Sequence, residues 1–216
     1  LVLSDYLTSK GIAVLRYDDR GFKESTGDFN KATTADFAQD VLGAVNYLKS
    51  RKDIDIKKIG LIGHSEGGII APLAANQTSD ISFIVTLAAT GIKGSEVSVM
   101  QSKSLRPFPV PDEKAFEENV RKSIKIASSN KDIAQKRKEL TTHNKTYLEP
   151  ILKSLGATDE NITKFIQNET ESVLKPWNSY FFSYNPSKEF EKLSIPVLSL
   201  HGSKDIQVDA TINQNA

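Results

Sequence analysis

The hexapeptide Gly63-His64-Ser65-Glu66-Gly67-Gly68 constrains this chain more than any other stretch, because one apolar run leads into it and another leads out. Lys58 to Ile62 before it reads as a strand, and Ile69 to Ala75 after it reads as a helix. A strand that becomes a helix in so few residues turns through backbone angles that ordinary side chains resist. Glycines at 63 and 67 are expected to remove side chains that would strike neighbouring elements. Ser65 then stands at the apex of the turn beyond the strand's carboxyl end, with the Glu66 amide at a helix N-terminus. A phosphate-binding loop fits worse, since neither its lysine nor its spacing is present.

The rest of the chain supplies a sheet for that turn. Ile12 to Tyr17, Lys58 to Ile62, Phe83 to Ala88 and Pro196 to His201 are short apolar runs, as expected of parallel strands buried on both faces. Between the first two, Phe37, Val41, Ala44, Val45 and Leu48 recur at helical spacing, and Thr33 with Asp36 three residues on predicts a capping box. Strand and helix alternate, so the expected fold class is α/β, a doubly wound, mostly parallel sheet. After Ala89 the pattern becomes charged and helical. Pro107, Pro109 and Pro111 interrupt it, and Asp112 opens an amphipathic helix striped by Phe116, Val120, Ile124 and Ala127. The predicted organisation is a discontinuous core of residues 1–90 and 191–216 with a helical cap inserted at 91–190. The cap ends in aromatic residues that are expected mainly to pack, with Trp177 and Phe181 the candidates for contacting a bound acyl group.

Composition excludes several classes. With 28 basic and 27 acidic residues the net charge is +1, so no strong field draws the chain to nucleic acid. Cysteine is absent, which removes disulfides, thiolate metal sites and cysteine nucleophiles. No apolar run reaches the roughly 20 residues that span a bilayer. Homo-oligomerisation and compartment stay open.

A serine hydroxyl is a weak nucleophile that needs a histidine base, and the histidine needs a carboxylate to hold its tautomer. Asp205, just past the run Pro196 to His201, has the chain order expected of that carboxylate and is the candidate for it, with a turn or cap aspartate as the alternative. The base is missing from its expected place after Asp205. Of the three histidines, His64 adjoins the serine with its side chain expected to point away. His201 ends a strand, and His143 is expected at the surface of the cap. None forms a metal-ligand spacing, and the chemistry requires no metal or organic cofactor.

Gly11 to Gly21, Ser25-Thr26-Gly27-Asp28, Gly60 to Gly68 and the Asp205 loop together resemble the α/β-hydrolase superfamily, in particular its bacterial carboxylesterase-like branch related to serine aminopeptidase-type hydrolases. The resemblance implies Ser65 as nucleophile, Asp205 as triad acid and the Glu66 amide as one oxyanion donor. It also implies a triad histidine beyond Ala216, a second oxyanion amide before Leu1, and a parent protein of roughly 280 to 320 residues. In that family's strand order a strand preceding Leu1 separates Ile12 to Tyr17 from the Ser65 strand. The expected substrate is a carboxylic ester of a small or medium acyl group. A peptidase or thioesterase using the same site, and a non-catalytic binding protein of the same fold, are the alternatives. Arg20 is expected to fix its loop by pairing with Asp18, Asp19 and Asp28, while Gly21 supplies an unusual backbone angle.

Overall fold

A computed structural model describes residues 2–216 and divides them into two compact units. The first comprises the residues up to Ala89 together with Glu189–Leu200, and the second comprises Thr90–Lys188 with His201–Ala216. The first unit contains α1 (Val2–Ser9), α2 (Thr34–Ser50), β1 (Gly60–His64), α3 (Glu66–Ala75), β2 (Phe83–Leu87) and β3 (Val197–Leu200). The strands form a parallel sheet in the order β1-β2-β3, with Leu61 opposite Ile84 and Ile84 opposite Val197. This is an α/β architecture built on a small sheet.

Its core lies on one face of that sheet. Ala38 and Val45 of α2, Ala71 and Ala74 of α3, and Ile59, Ile81 and Ile84 are all buried in one cluster. Alternation along a strand sends Leu61 and Ile84 into this cluster and sends Ile62, Val85 and Leu198 to the other face. There Ile62 is 45% exposed and Leu198 52%, so the expectation of burial on both faces is corrected among the described residues. The reason is connectivity: α2 and α3 both join the same cluster, and the β2–β3 connection leaves through the second unit.

The expected strand Ile12 to Tyr17 is likewise not a strand. It has no ladder partner among the described residues, and Ile12, Val14, Leu15 and Tyr17 are exposed. A strand exists only through its neighbour's hydrogen bonds, so an apolar run without one stays irregular. Ile12 to Tyr17 makes no ladder with β1, whose described partner is β2. The Ser65 strand is also shifted relative to its expected start. Ile56–Lys58 forms a turn of 3₁₀ helix capped by Asp55, and pairing begins at Gly60.

The second unit is helical: α4 (Gly94–Leu105), α5 (Glu113–Ala127), α6 (Ile133–Ser154), α7 (Asp159–Val173) and α8 (Pro176–Ser183). A short helix, α9 (Ser187–Phe190), lies where the chain passes back to the first unit, and α10 (Ala210–Gln214) follows β3. Asp112 caps α5 as its sequence predicts, accepting from the Lys114 and Ala115 amides. Phe116 and Ala127 of the expected stripe are buried, but so are Asn119 and Ser123. Ser123 donates to Asn144 of α6, and Asn144 to Thr170 of α7, so a polar seam runs between these helices. The segment 201–216 was expected with the sheet, yet its contacts run to the helical unit. The Gly91 amide donates to Asn213, and Gln101 donates to the Gln207 carbonyl.

Candidate active site

Ser65 occupies the junction between β1 and α3 with φ 53° and ψ −116°. Non-glycine residues seldom adopt such a conformation, which costs on the order of 1–3 kcal/mol and persists only when surrounding contacts enforce it. Those contacts are present. The Ser65 amide donates to the Leu87 carbonyl at 2.8 Å, extending the β1–β2 ladder by one residue, and the Gly68 amide donates to the Ser65 carbonyl at 3.0 Å. The serine backbone is thus clamped on both sides. As the N-cap of α3 its side chain makes no capping hydrogen bond, so the hydroxyl is not consumed by the helix it starts.

The glycines around it divide differently from the sequence expectation. A Cβ on Gly63 would overlap the Gly67 carbonyl oxygen, a backbone atom with no room to yield. A Cβ on Gly67 would meet nothing within 4 Å, so Gly67 is not needed for clearance. Gly68 takes that role, since its Cβ would lie 2.5 Å from the Ala89 side chain. The motif's third glycine, rather than its second, allows the helix to approach the sheet.

Glu66 begins α3, and its carboxylate accepts from the Thr34 hydroxyl at 2.8 Å. Sequence reading missed Thr34, because a helix-start threonine looks like any other until its partner 32 residues away is known. Thr34 lies beside the predicted capping box, which is present. The Thr33 hydroxyl and amide both donate to Asp36, and the Asp36 amide donates back to the hydroxyl. Hydrogen bonds from Thr33, reinforced by the positive charge of Arg20, hold the Asp36 carboxyl below its usual range.

Arg20 has the expected structural role with different partners. Its guanidinium grips both oxygens of Asp40 at 2.7 and 2.8 Å, and reaches the carboxylate and carbonyl of Asp36. The Asp40 hydrogen bonds in particular raise its already high pKa. Helical spacing explains the choice, since Asp36 and Asp40 are one turn apart on α2 and present a pair of carboxylates to a forked donor. Gly21 beside it has φ +71°, and a Cβ there would lie 2.6 Å from the Phe29 nitrogen.

In the second unit, Asp205 is half-buried, and its Oδ1 accepts from the Gln207 and Val208 amides at 2.8 and 2.9 Å. Such a turn orients the carboxylate. His143 is half-buried rather than at the surface, and its Nε2 donates to the Asn119 carbonyl at 3.1 Å, which occupies that nitrogen within the helical unit. His64 is the exposed last residue of β1, and His201 is half-buried. Trp177 and Phe181 stack at 4.7 Å, with Phe181 buried and its backbone pressed against Gly94. No group of His, Asp or Glu that could hold a metal ion occurs among the described residues, and no described helix is long and apolar enough to cross a membrane.

The family described as X-Pro dipeptidyl-peptidase (S15 family) matches residues 4–215. The chain belongs to this family. The α/β-hydrolase resemblance carried by the serine motif is thereby established at the level of the superfamily. Among curated relatives, the esterase EstD of Thermotoga maritima is 27% identical over 205 residues, covering 94% of this chain and 40% of the esterase. An acyl transferase of Shewanella hanedai is 36% identical over 85 residues, 39% of this chain and 26% of that protein. The chain therefore spans less than half the length of these relatives. Among solved structures, a proline iminopeptidase-related protein from Thermus thermophilus aligns with 97% of this chain and 79% of its own, at 15% identity and a TM-score of 0.43.

Proposed function

We propose that this chain carries the nucleophile of a serine hydrolase that cleaves a carboxylic ester of a small or medium acyl group through an acyl-enzyme. The observation that carries the reading is the backbone of Ser65. A serine held at φ 53° and ψ −116° at the junction of a parallel strand and a helix, with no capping duty, is conformational strain retained at a residue able to act as a nucleophile. Attack by the Ser65 hydroxyl on the acyl carbon forms a tetrahedral oxyanion, and the Glu66 amide at the N-terminus of α3 donates to that oxyanion. Collapse expels the alcohol, which takes up the proton removed from Ser65, and water then releases the acid by the same steps in reverse.

Asp205 is proposed as the carboxylate that orients the histidine base. Its turn supports the assignment, because two backbone amides fix the direction of the carboxyl group. None of the three histidines is assigned as the base. Trp177 and Phe181, which stack on one another, are proposed as the aromatic contribution to acyl binding.

A second reading keeps Ser65 and changes the leaving group to an amine. It is favoured by the family description, which names a dipeptidyl-peptidase, whereas EstD is named an esterase. The test is to treat the protein and its Ser65→Ala variant with a fluorophosphonate probe, then compare p-nitrophenyl esters with an Xaa-Pro anilide. Labelling confined to the native serine and turnover of the esters are expected. Labelling that persists in Ser65→Ala refutes the nucleophile, and anilide turnover without ester turnover selects the peptidase.

A further inference from the structure

We propose that Thr34 is a positioning residue for the oxyanion donor, acting through a hydrogen bond from its hydroxyl to the Glu66 carboxylate. This rests on the reading of Ser65 as the nucleophile. Thr34 is the first residue of α2, is 0% exposed, and donates to Glu66 Oε1 at 2.8 Å. Its own helix does not need that hydroxyl, because Thr33 and Asp36 already complete the capping box. A buried hydroxyl directed from one helix start to the next links the two structures.

The link has a firm end. Arg20 grips Asp40 and Asp36 in the first two turns of α2, which fixes the segment that presents Thr34. The other end needs a tether. α3 starts at a strained serine with no capping side chain, and Glu66 is the residue whose main-chain amide is assigned to the oxyanion. Holding the Glu66 side chain limits how far that amide can swing.

Loss of the bond leaves the donor's position less favourable to the transition state than to bound substrate. The expected signature is a fall in kcat with little change in KM.

The experiment uses Thr34→Val, which keeps the shape and removes the hydroxyl, and Thr34→Ser, which keeps the hydroxyl. Glu66→Ala and the Thr34→Val/Glu66→Ala double variant complete a cycle. The readouts are the rate of fluorophosphonate labelling at Ser65, kcat and KM on a p-nitrophenyl ester, and urea denaturation. Thr34→Val and Glu66→Ala are each expected to slow labelling and lower kcat by about 10- to 100-fold, somewhat less than deletion of a whole oxyanion donor. KM should stay within about twofold, Thr34→Ser should recover most of the rate, and the double variant should be no slower than either single one. Native labelling rates in Thr34→Val, equal losses in the Ser and Val variants, or additive losses in the double variant overturn the proposal. If Thr34→Val does not fold, an unchanged labelling rate in Glu66→Ala overturns it. If the native protein is not labelled at Ser65, the nucleophile assignment fails and this inference fails with it; native labelling with an indifferent Thr34 refutes the inference alone.

Discussion

The starts of α2 and α3 lie in the same unit, are joined by the hydrogen bond from Thr34 to Glu66, and are built on opposite principles. α2 begins with a capping box on ordinary extended backbone, Thr33 having φ −119° and ψ 169°, and Arg20 reinforces the carboxylate of that box. α3 begins on a residue in a disfavoured conformation with no side-chain cap. Capping groups at the first site contribute about 1 kcal/mol, whereas the backbone at the second costs a comparable amount. The difference teaches where this unit uses local order and where it tolerates strain. The well-made helix start is the support from which the strained one is held.

The largest effect that sharpens this comparison comes from Gly63. Gly63→Ala forces a methyl group against the Gly67 backbone, and a loss of more than about 3 kcal/mol in urea denaturation is expected. Gly67→Ala, where a Cβ meets open space, serves as its control and should be neutral or slightly stabilising. Equal losses in the two variants would mean that the turn does not have the tight approach described. A smaller effect of opposite sign is expected for Ser65→Gly, which removes the side chain that makes φ 53° unfavourable. Denaturation should show a gain of about 1 kcal/mol together with complete loss of fluorophosphonate labelling. A less stable glycine variant would remove the argument that Ser65 is strained.

The smallest effect belongs to the α2 start and depends on pH. The folded-state pKa of Asp36 is depressed, chiefly by the Thr33 hydrogen bonds, relative to the ordinary aspartate value of about 3.9. A depressed carboxylate contributes stability above its unfolded pKa and loses it as pH falls through the folded value. The native melting temperature should therefore fall more steeply than that of Asp36→Asn as pH is lowered from about 5 to below 3.9. Because Asp36 is partly exposed, the difference should also shrink in high salt. Parallel pH profiles would show that the box is held by geometry without the charge.

Much of the serine turn was legible in the sequence because local patterns encode it. An apolar strand, a glycine, a serine and an apolar helix leave few ways for the chain to run, and the Thr33–Asp36 spacing specifies a cap within one turn of helix. Features that depend on a distant partner were not legible. Ile12 to Tyr17 has the composition of a strand but no ladder among the described residues, and the open sheet face follows from where the connections run. Arg20 had aspartates nearby in sequence, yet two carboxylates one helical turn apart on α2 suit its fork better. Thr34 gave no local signal, because its partner lies on another helix.

The sequence by itself determined the strand-to-helix turn around Ser65, the capped start of α2 and the α/β class, all of which depend on steric and hydrogen-bonding rules acting over a few residues. The tertiary structure decided which glycine gives clearance, which carboxylates hold Arg20, and that a buried threonine reaches the residue beside the serine. Those outcomes depend on how separate elements approach one another, a property of packing that no short stretch of sequence contains.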